Sequence, residues 1–356
     1  MKPSHDPVRK FCDRFGLKAP ILLAPMAGAC PPSLSIAIAN AGGLGACGVL
    51  TMKPDEITAW AEEFRRHSAE LFQLNNWIPD PAPVRDSPRE SAMREFLAQW
   101  GPAVPPEAGD ARPLEFAAQF EAMLAAKPPI ISSVMGVYPP EMVRKLKEHG
   151  IAWFANISTV AEAEAAEAAG ADVIVAQGAE AGGHRGCFDA ESAERSMTGL
   201  FSLLPAVVDA VRLPVVATGG IADGRGVAAA LMLGACAVQI GTGFLRCPEA
   251  KIPSAWANAL ARTRPDGTVI SRVFSGRAGR SIATGFVNAA TAPGAPRPAP
   301  YPVQRGLTAL MRAEGARTND LDRLQAWAGQ SASLARALPA AELYRLIWQE
   351  ALALLA

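Results

Sequence analysis

The stretch Ala176–Gly186 reads Ala-Gln-Gly-Ala-Glu-Ala-Gly-Gly-His-Arg-Gly and decides how the rest of the chain is interpreted. The β-branched run Asp172–Val175 before it is typical of a strand buried on both faces. Glycine permits positive φ angles and close backbone approach, so the loop can lie against a flat or phosphorylated ligand. His184 can exchange a proton near neutral pH. A glycine-rich turn with a surface histidine explains the same residues, so both interpretations stay open here.

Seven other apolar runs resemble Asp172–Val175 and alternate with helical patterns along the chain. They lie at residues 20–25, 44–50, 70–75, 129–134, 151–156, 214–218 and 235–241. Strands that alternate with helices pair in parallel, and about eight of them is the number in a (β/α)8 barrel. A doubly wound sheet would carry G-x-G-x-x-G after its first strand, whereas Gly42, Gly43 and Gly45 precede or lie within the second. We therefore predict an α/β fold, a (β/α)8 TIM barrel.

Two parts of the chain do not follow the strand–helix alternation of the barrel. Residues 76–113 are rich in proline and break the alternation, so we interpret them as an excursion from the barrel. After Gly241 the pattern changes to a basic glycine-rich loop, a proline-rich segment at 292–302 and helical patterns at 254–262, 307–312, 320–327 and 340–355. We predict a barrel domain over residues 1–250, with a smaller cap region and barrel-closing helices over 251–356.

The composition excludes several classes of function. Lys and Arg (34) balance Asp and Glu (34), so no basic excess attracts nucleic acid. The six cysteines form no C-x-x-C pair, so neither a disulfide framework nor a metal site is predicted. The first residues lack the apolar core of a signal peptide, and no apolar span is long enough to cross a bilayer. We expect a cytoplasmic protein without a membrane partner, and a mobile terminus around His5.

Two glycine clusters follow the last two predicted strands, at Thr218–Gly224 and Gly241–Gly243. In barrels, the loops after the seventh and eighth strands commonly bind phosphate through backbone N–H groups. Glycines are also common wherever a strand turns into a helix. Because both clusters fall at the right strands, we predict a phosphorylated ligand or cofactor.

Other polar residues end strands on the same predicted face: Met26, Asn75, Ser132 or Ser133, and Gln177. Side-chain amides suit the carbonyls and ring nitrogens of a flavin or a nucleobase, which need both donors and acceptors. No metal-ligand spacing and no Ser-His-acid set is recognisable. Chemistry carried by an organic cofactor is therefore favoured over a metal or a nucleophilic triad.

Six motifs together resemble the nitronate monooxygenase family, formerly called 2-nitropropane dioxygenases. They are PILLAPMAG (20–28), AGGLGACG (41–48), the 176–186 stretch, PVVATGGIAD (214–223), GTGF (241–244) and SGRAGR (275–280). The resemblance runs from about Pro20 to the Trp327–Gln330 stretch and implies an FMN-binding TIM barrel. The residues that it implies for FMN are Ala24, Pro25, Met26, Ala27, Asn75, Gln177, Gly182, Gly183, Gly219, Gly220, Gly241, Thr242 and Gln330.

His184 matches the family's catalytic histidine, and Met26 and Tyr301 are implied on the substrate side. The implied reaction oxidises an alkyl nitronate, or a nitroalkane, with O2 and releases a carbonyl compound and nitrite. For a neutral nitroalkane, His184 would be the general base; for a nitronate it would position or pair with the anion. The implied partners are thus a small nitronate and O2, with a homodimer as a further expectation.

Three alternatives remain. Flavin-dependent enoyl-acyl-carrier-protein reductases and NADH:quinone reductases share the barrel and the Glu-Ala-Gly-Gly-His loop. A barrel isomerase or aldolase without flavin would need a lysine or paired carboxylates at strand ends, and neither is visible. A non-catalytic flavin-binding protein would not need His184 in its tightest loop. Arg277 and Arg280 could order the cap or meet substrate, and Glu180 could orient its loop or be a solvated charge.

Overall fold

Eight parallel strands form the barrel of the computed structural model, which describes residues 6–356. They are β1 (Ile21–Leu23), β2 (Gly45–Gly48), β3 (Phe72–Trp77), β4 (Ile130–Val134), β5 (Ala152–Ile157), β6 (Val173–Gln177), β8 (Val215–Thr218) and β9 (Ala237–Ile240). Their order is β1-β9-β8-β6-β5-β4-β3-β2, and a single bridge between Leu22 and Leu44 joins the two ends. The predicted (β/α)8 barrel is therefore confirmed. His5 lies outside the described residues.

Helices alternate with the barrel strands up to β9, and further helices follow in the carboxyl-terminal part of the chain. They are α1 (Asp6–Arg14), α2 (Pro32–Asn40), α3 (Pro54–His67), α4 (Ser87–Leu97), α5 (Phe116–Ala125), α6 (Pro140–Glu148), α7 (Val160–Ala168), α8 (Leu200–Ala210), α9 (Gly224–Met232), α10 (Ser254–Arg262), α11 (Gly285–Thr291), α12 (Val303–Leu307), α13 (Ala309–Thr318) and α14 (Ala340–Leu355). In α3, a proline starts the helix, and Ile57, Trp60 and Phe64 share its buried face. The final helix, α14, packs on α9 and α2.

The amino-terminal helix α1 covers one end of the barrel. Its Phe11 and Phe15 rings pack against Phe154 of β5, with centroid distances of 6.3 and 5.2 Å. These rings belong to one buried cluster with interior residues from the starts of several strands, such as Leu22 and Val173. The barrel is therefore filled at the amino-terminal ends of its strands, and its opposite end is left for a ligand.

A second, three-stranded sheet lies beside that open end. It consists of β7 (Gly183–His184), β10 (Thr268–Ser271) and β11 (Gly279–Ile282), in the antiparallel order β10-β11-β7. Helix α4 of the excursion shares a buried cluster with cap residues, in which Met93 and Leu97 join Phe274 and Phe286. The excursion and the cap thus share one small core above the barrel.

Several local predictions differ from the structure. The helix predicted at 320–327 is wrong: Asp320 accepts a hydrogen bond from the Asp322 N–H at 3.1 Å, which makes a turn, and Trp327 bridges to Ser281. The helical pattern at 307–312 spans the junction between α12 and α13. The SGRAGR stretch was predicted as a loop, but its last two residues begin β11 because the tertiary fold supplies Gly183 and His184 as a pairing edge. Helices α1 and α11 had no predicted counterpart.

Two features are absent from residues 6–356. No helix there is both long and apolar enough for a membrane span. The same residues contain no group of three or more His, Cys, Asp or Glu side chains that could hold a metal ion.

Candidate active site

A cavity of about 440 Å³, which we call the mouth cavity, opens at the carboxyl ends of the barrel strands. Its volume lies within the range of about 300–1,000 Å³ that is usual for small-molecule sites. Most residues implied by the family resemblance line it: Ala24, Pro25, Met26, Ala27, Asn75, Gln177, Gly182, Gly183, His184, Gly219, Gly220, Gly241 and Thr242.

Two residues that the family resemblance implies, Tyr301 and Gln330, do not line the mouth cavity. Tyr301 is 9 % exposed and stacks on Trp77 at 4.7 Å between ring centroids, so the indole separates it from the mouth cavity. Gln330 donates its backbone N–H to the Glu180 carbonyl at 2.9 Å, while its neighbours Gly329 and Ser331 line the cavity. Any effect of these two residues on a ligand would act through their neighbours.

The glycine loops after β8 and β9 offer free backbone donors to the mouth cavity. Within residues 6–356, the N–H groups of Gly219, Gly220 and Gly241 donate to no protein acceptor. Gly219 has a φ of +111°, and a Cβ there would lie 3.1 Å from the Gly178 carbonyl oxygen, so glycine is required. Converging backbone N–H groups of this kind bind anions, phosphate above all.

The two amides predicted to face a ligand have different surroundings. Asn75 Nδ2 donates to Ser132 Oγ at 3.0 Å, and its Oδ1 has no partner among the described residues. Gln177 instead bridges its own loop: Nε2 donates to the His184 carbonyl at 3.1 Å, and Oε1 accepts from the Gly186 N–H at 2.7 Å. Gln177 therefore fixes the backbone on both sides of His184, a role that its position at a strand end did not predict.

His184 is held through one ring nitrogen, and the other faces the mouth cavity. Nε2 lies 2.7 Å from Ser275 Oγ, which in turn lies 3.2 Å from the Arg277 carbonyl oxygen. We assign the proton to Nε2, so that Ser275 Oγ accepts from His184 and donates to the Arg277 carbonyl oxygen. Nδ1 has no partner within the part of the chain that the structure describes, and it retains accessible surface. Its lone pair can therefore accept a proton from a ligand.

The imidazole of His184 is also fixed by packing. Trp77 contacts it edge-on at 4.8 Å and Trp327 at 5.0 Å, so two indoles flank the ring. Burial, followed by the positive charges of Arg305 and Arg277 among others, lowers the pKa of His184 to about 3. The imidazole is thus neutral at physiological pH and available as a base.

Among residues 6–356, two arginines line the mouth cavity, and no Asp, Glu or Lys does. Arg305 makes no side-chain hydrogen bond or ion pair within residues 6–356. Arg312 is held by the Arg305 carbonyl oxygen at 2.9 Å and by Gln325 Oε1 at 3.2 Å. Burial and the nearby Arg305 lower the pKa of Arg312 to about 10, so Arg312 remains cationic at neutral pH. The mouth cavity therefore favours an anionic ligand.

Neither these arginines nor the flanking indoles were among the residues predicted for the site. Arg305 lies in α12 and Arg312 in α13, on either side of the junction at Thr308, so no single helical pattern predicts that both reach the cavity. Trp77 is the last residue of β3, where a strand-end residue would face a barrel ligand. For Trp327 no local pattern exists, because it reaches the cavity through its bridge to β11.

The remaining candidate residues have structural partners. Glu180 accepts the Leu200 N–H with both carboxylate oxygens at 2.9 Å, so it orients its loop against the start of α8. Arg280 donates to the Ala179 carbonyl oxygen and to Thr268 Oγ1, each at 3.0 Å. Neither Arg277 nor Arg280 lines the mouth cavity. Both therefore hold loops together beside it.

Comparison with known proteins agrees with the site. The family model described as nitronate monooxygenase matches residues 10–350. A nitronate monooxygenase of Pseudomonas aeruginosa is 39% identical over 349 residues, covering 96% of this chain and 98% of that protein. One of Paraburkholderia phytofirmans is 38% identical over 348 residues, covering 96% and 94%.

Solved structures show the same relation. Nitroalkane oxidase from Streptomyces ansochromogenes superposes with a TM-score of 0.86 at 34% identity, covering 98% of this chain and 100% of that one. FabK from Thermotoga maritima gives a TM-score of 0.74 at 26% identity, covering 97% and 96%. With a family model that spans nearly the whole chain and relatives near 40% identity, this chain belongs to the nitronate monooxygenase family, whose members are flavin-dependent oxidoreductases.

Proposed function

We propose that this chain oxidises alkyl nitronates with O2, using FMN, and releases a carbonyl compound and nitrite. The observation that carries the proposal is the free Nδ1 of a neutral His184 in a cavity where the described residues supply two arginines and no carboxylate. A nitronate is an anion, and its parent nitroalkane is a carbon acid. The same cavity therefore suits binding of the first and deprotonation of the second.

The residues of the mouth cavity fit a flavin mononucleotide. The three unpartnered N–H groups of Gly219, Gly220 and Gly241 suit its phosphate, and Thr242 adds a hydroxyl beside them. The free Oδ1 of Asn75 can accept from a ring N–H. The backbone of Ala24–Ala27 lines the same cavity and offers a wall without charge. The phosphate and the flavin ring would thus bind to different donors and acceptors within the mouth cavity.

His184 acts at the α-carbon of a neutral nitroalkane. Its Nδ1 lone pair takes the proton, and the positive charge that develops on the ring is tied through Nε2–H to Ser275 and the Arg277 carbonyl oxygen. For a nitronate no proton needs to be removed. There, His184 only positions the anion, so the two substrates depend on this residue to different degrees.

Arg305 and Arg312 balance the negative charge of the nitronate. Arg305 has donors that no protein acceptor within residues 6–356 uses, so it can bind the nitro oxygens without breaking an existing contact. Trp77 and Trp327 exclude water around the imidazole. A bound flavin supplies the acceptor for the substrate's electrons, and the protein supplies binding, orientation and charge.

The competing functions receive less support. In the part of the chain that the structure describes, the cavity lining contains no lysine and no paired carboxylates, which a barrel aldolase or isomerase would use. The likeness to FabK keeps an NAD(P)H-dependent reductase as the competing activity. The two differ in the electron donor, and an experiment can separate them.

The test is anaerobic reduction of the purified holoprotein, followed by its visible spectrum. Propionate 3-nitronate is expected to bleach the flavin band, and NADH or NADPH at equal concentration is expected to leave it unchanged. Readmission of O2 should restore the band and release nitrite. Bleaching by NADH or NADPH alone would overturn the proposal in favour of a reductase. A colourless protein that FMN cannot reconstitute would overturn the cofactor assignment.

A further inference from the structure

One ion pair links the proline-rich excursion to the loop that holds His184. Arg277 Nη2 lies 2.6 Å from Asp80 Oδ1, and Nε lies 2.9 Å from Asp80 Oδ2. The Arg277 side chain is 1 % exposed and that of Asp80 16 %. Arg277 has no other carboxylate partner in the described residues. Burying a guanidinium is costly unless it is paired, so the negative charge of Asp80 offsets the cost of burying the Arg277 side chain.

Arg277 contacts three different parts of the site. Nη1 donates to the Cys187 carbonyl oxygen at 2.9 Å, three residues after His184. The guanidinium lies over Trp77, 5.8 Å from the ring centroid, and Trp77 is one of the two indoles against the imidazole. The Arg277 backbone also contacts Ser275 Oγ through its carbonyl oxygen and its N–H, at 3.2 and 3.3 Å. Ser275 and Trp77, which both contact the His184 ring, therefore touch Arg277.

We propose that Asp80, a residue of the excursion outside the mouth cavity, is a positioning residue for His184. Its bidentate pair with Arg277 fixes the guanidinium against Trp77 and anchors the residue whose backbone contacts Ser275 Oγ, the partner of His184 Nε2. This arrangement holds the imidazole in the tautomer and orientation that present Nδ1. The inference rests on the proposed role of His184 as the base, and it gives the excursion a part in the chemistry.

The test compares Asp80→Asn with Glu90→Gln. Glu90 also binds an arginine through both carboxylate oxygens, Arg85 Nε and Nη2 each at 2.5 Å, and it lies in the same excursion. No contact joins that pair to Ser275 or Trp77 within the described residues. Glu90→Gln therefore measures the loss of an excursion ion pair alone. Asp80→Glu keeps the charge and serves as the rescue, and Arg277→Lys keeps a cation without the bidentate geometry.

The first readout is the ¹⁵N NMR spectrum of the imidazole, with His184 identified among the chain's four histidines by His184→Asn. In the wild type and in Glu90→Gln, we expect separate Nδ1 and Nε2 signals that report the Nε2–H tautomer. In Asp80→Asn and Arg277→Lys, the two signals are expected to move towards each other as the tautomers mix. Wild-type shifts in the folded Asp80→Asn and Arg277→Lys proteins, or equal changes in Glu90→Gln, would overturn the proposal.

The second readout is turnover. Asp80→Asn should lower kcat/KM for nitroethane about 10- to 100-fold, the usual cost of a misplaced catalytic group, and lower it for ethylnitronate by less than about threefold. Asp80→Glu should recover most of that loss. Equal losses for both substrates would mean that the pair only stabilises the fold. If wild-type protein oxidises no nitronate, the proposed function fails, yet the ¹⁵N shifts still decide whether Asp80 positions the ring.

Discussion

The acid limb of nitroalkane turnover offers a sensitive test of the His184 environment. His184 must be unprotonated to act as a base, and its lowered pKa of about 3 keeps it so in acid. At pH 5, such a group is protonated in only about 1% of molecules, whereas a histidine with the ordinary pKa of about 6.5 would be about 97% protonated. The active fractions then differ about 30-fold. We therefore expect kcat/KM for nitroethane to be flat, as far as His184 is concerned, between pH 5 and 8.

The assay is nitrite release from nitroethane at saturating O2, in buffers from pH 5 to 8, with His184→Asn as the matched variant. At pH 8 the variant should lose about 10²- to 10⁴-fold in kcat/KM for nitroethane, the usual contribution of a general base. Its loss for ethylnitronate at the same pH should stay below about tenfold, because that substrate needs no deprotonation. A wild-type rate that falls through pH 6.5, or equal losses for the two substrates, would refute the reasoning.

Three further results are expected. His184→Gln should make the stability of the fold less sensitive to acid. The pKa of His184 is lower in the folded than in the unfolded state, so wild-type stability falls as the pH drops below about 6.5, by about 2 kcal/mol at pH 5. The free energy of unfolding of the variant, measured with denaturant, should lack that decrease. Arg305→Met should raise KM for nitronates about 10- to 100-fold through the lost charged contact, while the exposed Arg297→Met leaves initial rates unchanged; equal KM values would contradict the role of Arg305. Gly219→Ala should cost about 1–3 kcal/mol and lose FMN on gel filtration, whereas Gly294→Ala, also at positive φ but with open space around it, should retain the flavin.

The sequence predicted the features that local patterns encode. Apolar runs such as Val173–Gln177 are buried on both faces, and their alternation with helices is sufficient to predict the barrel. The glycine clusters after β8 and β9 line the mouth cavity because the carboxyl ends of parallel strands lie at one end of a barrel. These predictions needed no knowledge of contacts distant in sequence.

The features that it missed depend on such contacts. Arg305 and Arg312 follow β9 by more than sixty residues and reach the cavity only because the cap folds back over the barrel. The hydrogen-bond partners of Gln177 could not be predicted either, because a side-chain amide at a strand end can face a ligand or its own loop. The pairing of β11 with His184 has the same origin: neither segment has a strand pattern by itself.

Phe11 and Phe15 pack against Phe154 and close the barrel at the amino-terminal ends of its strands, which affects how ligands can enter. Because this end is closed, we expect the proposed flavin and nitronate to enter from the opposite end, through the mouth cavity. Nitronate bound there is therefore expected to slow the dissociation of FMN.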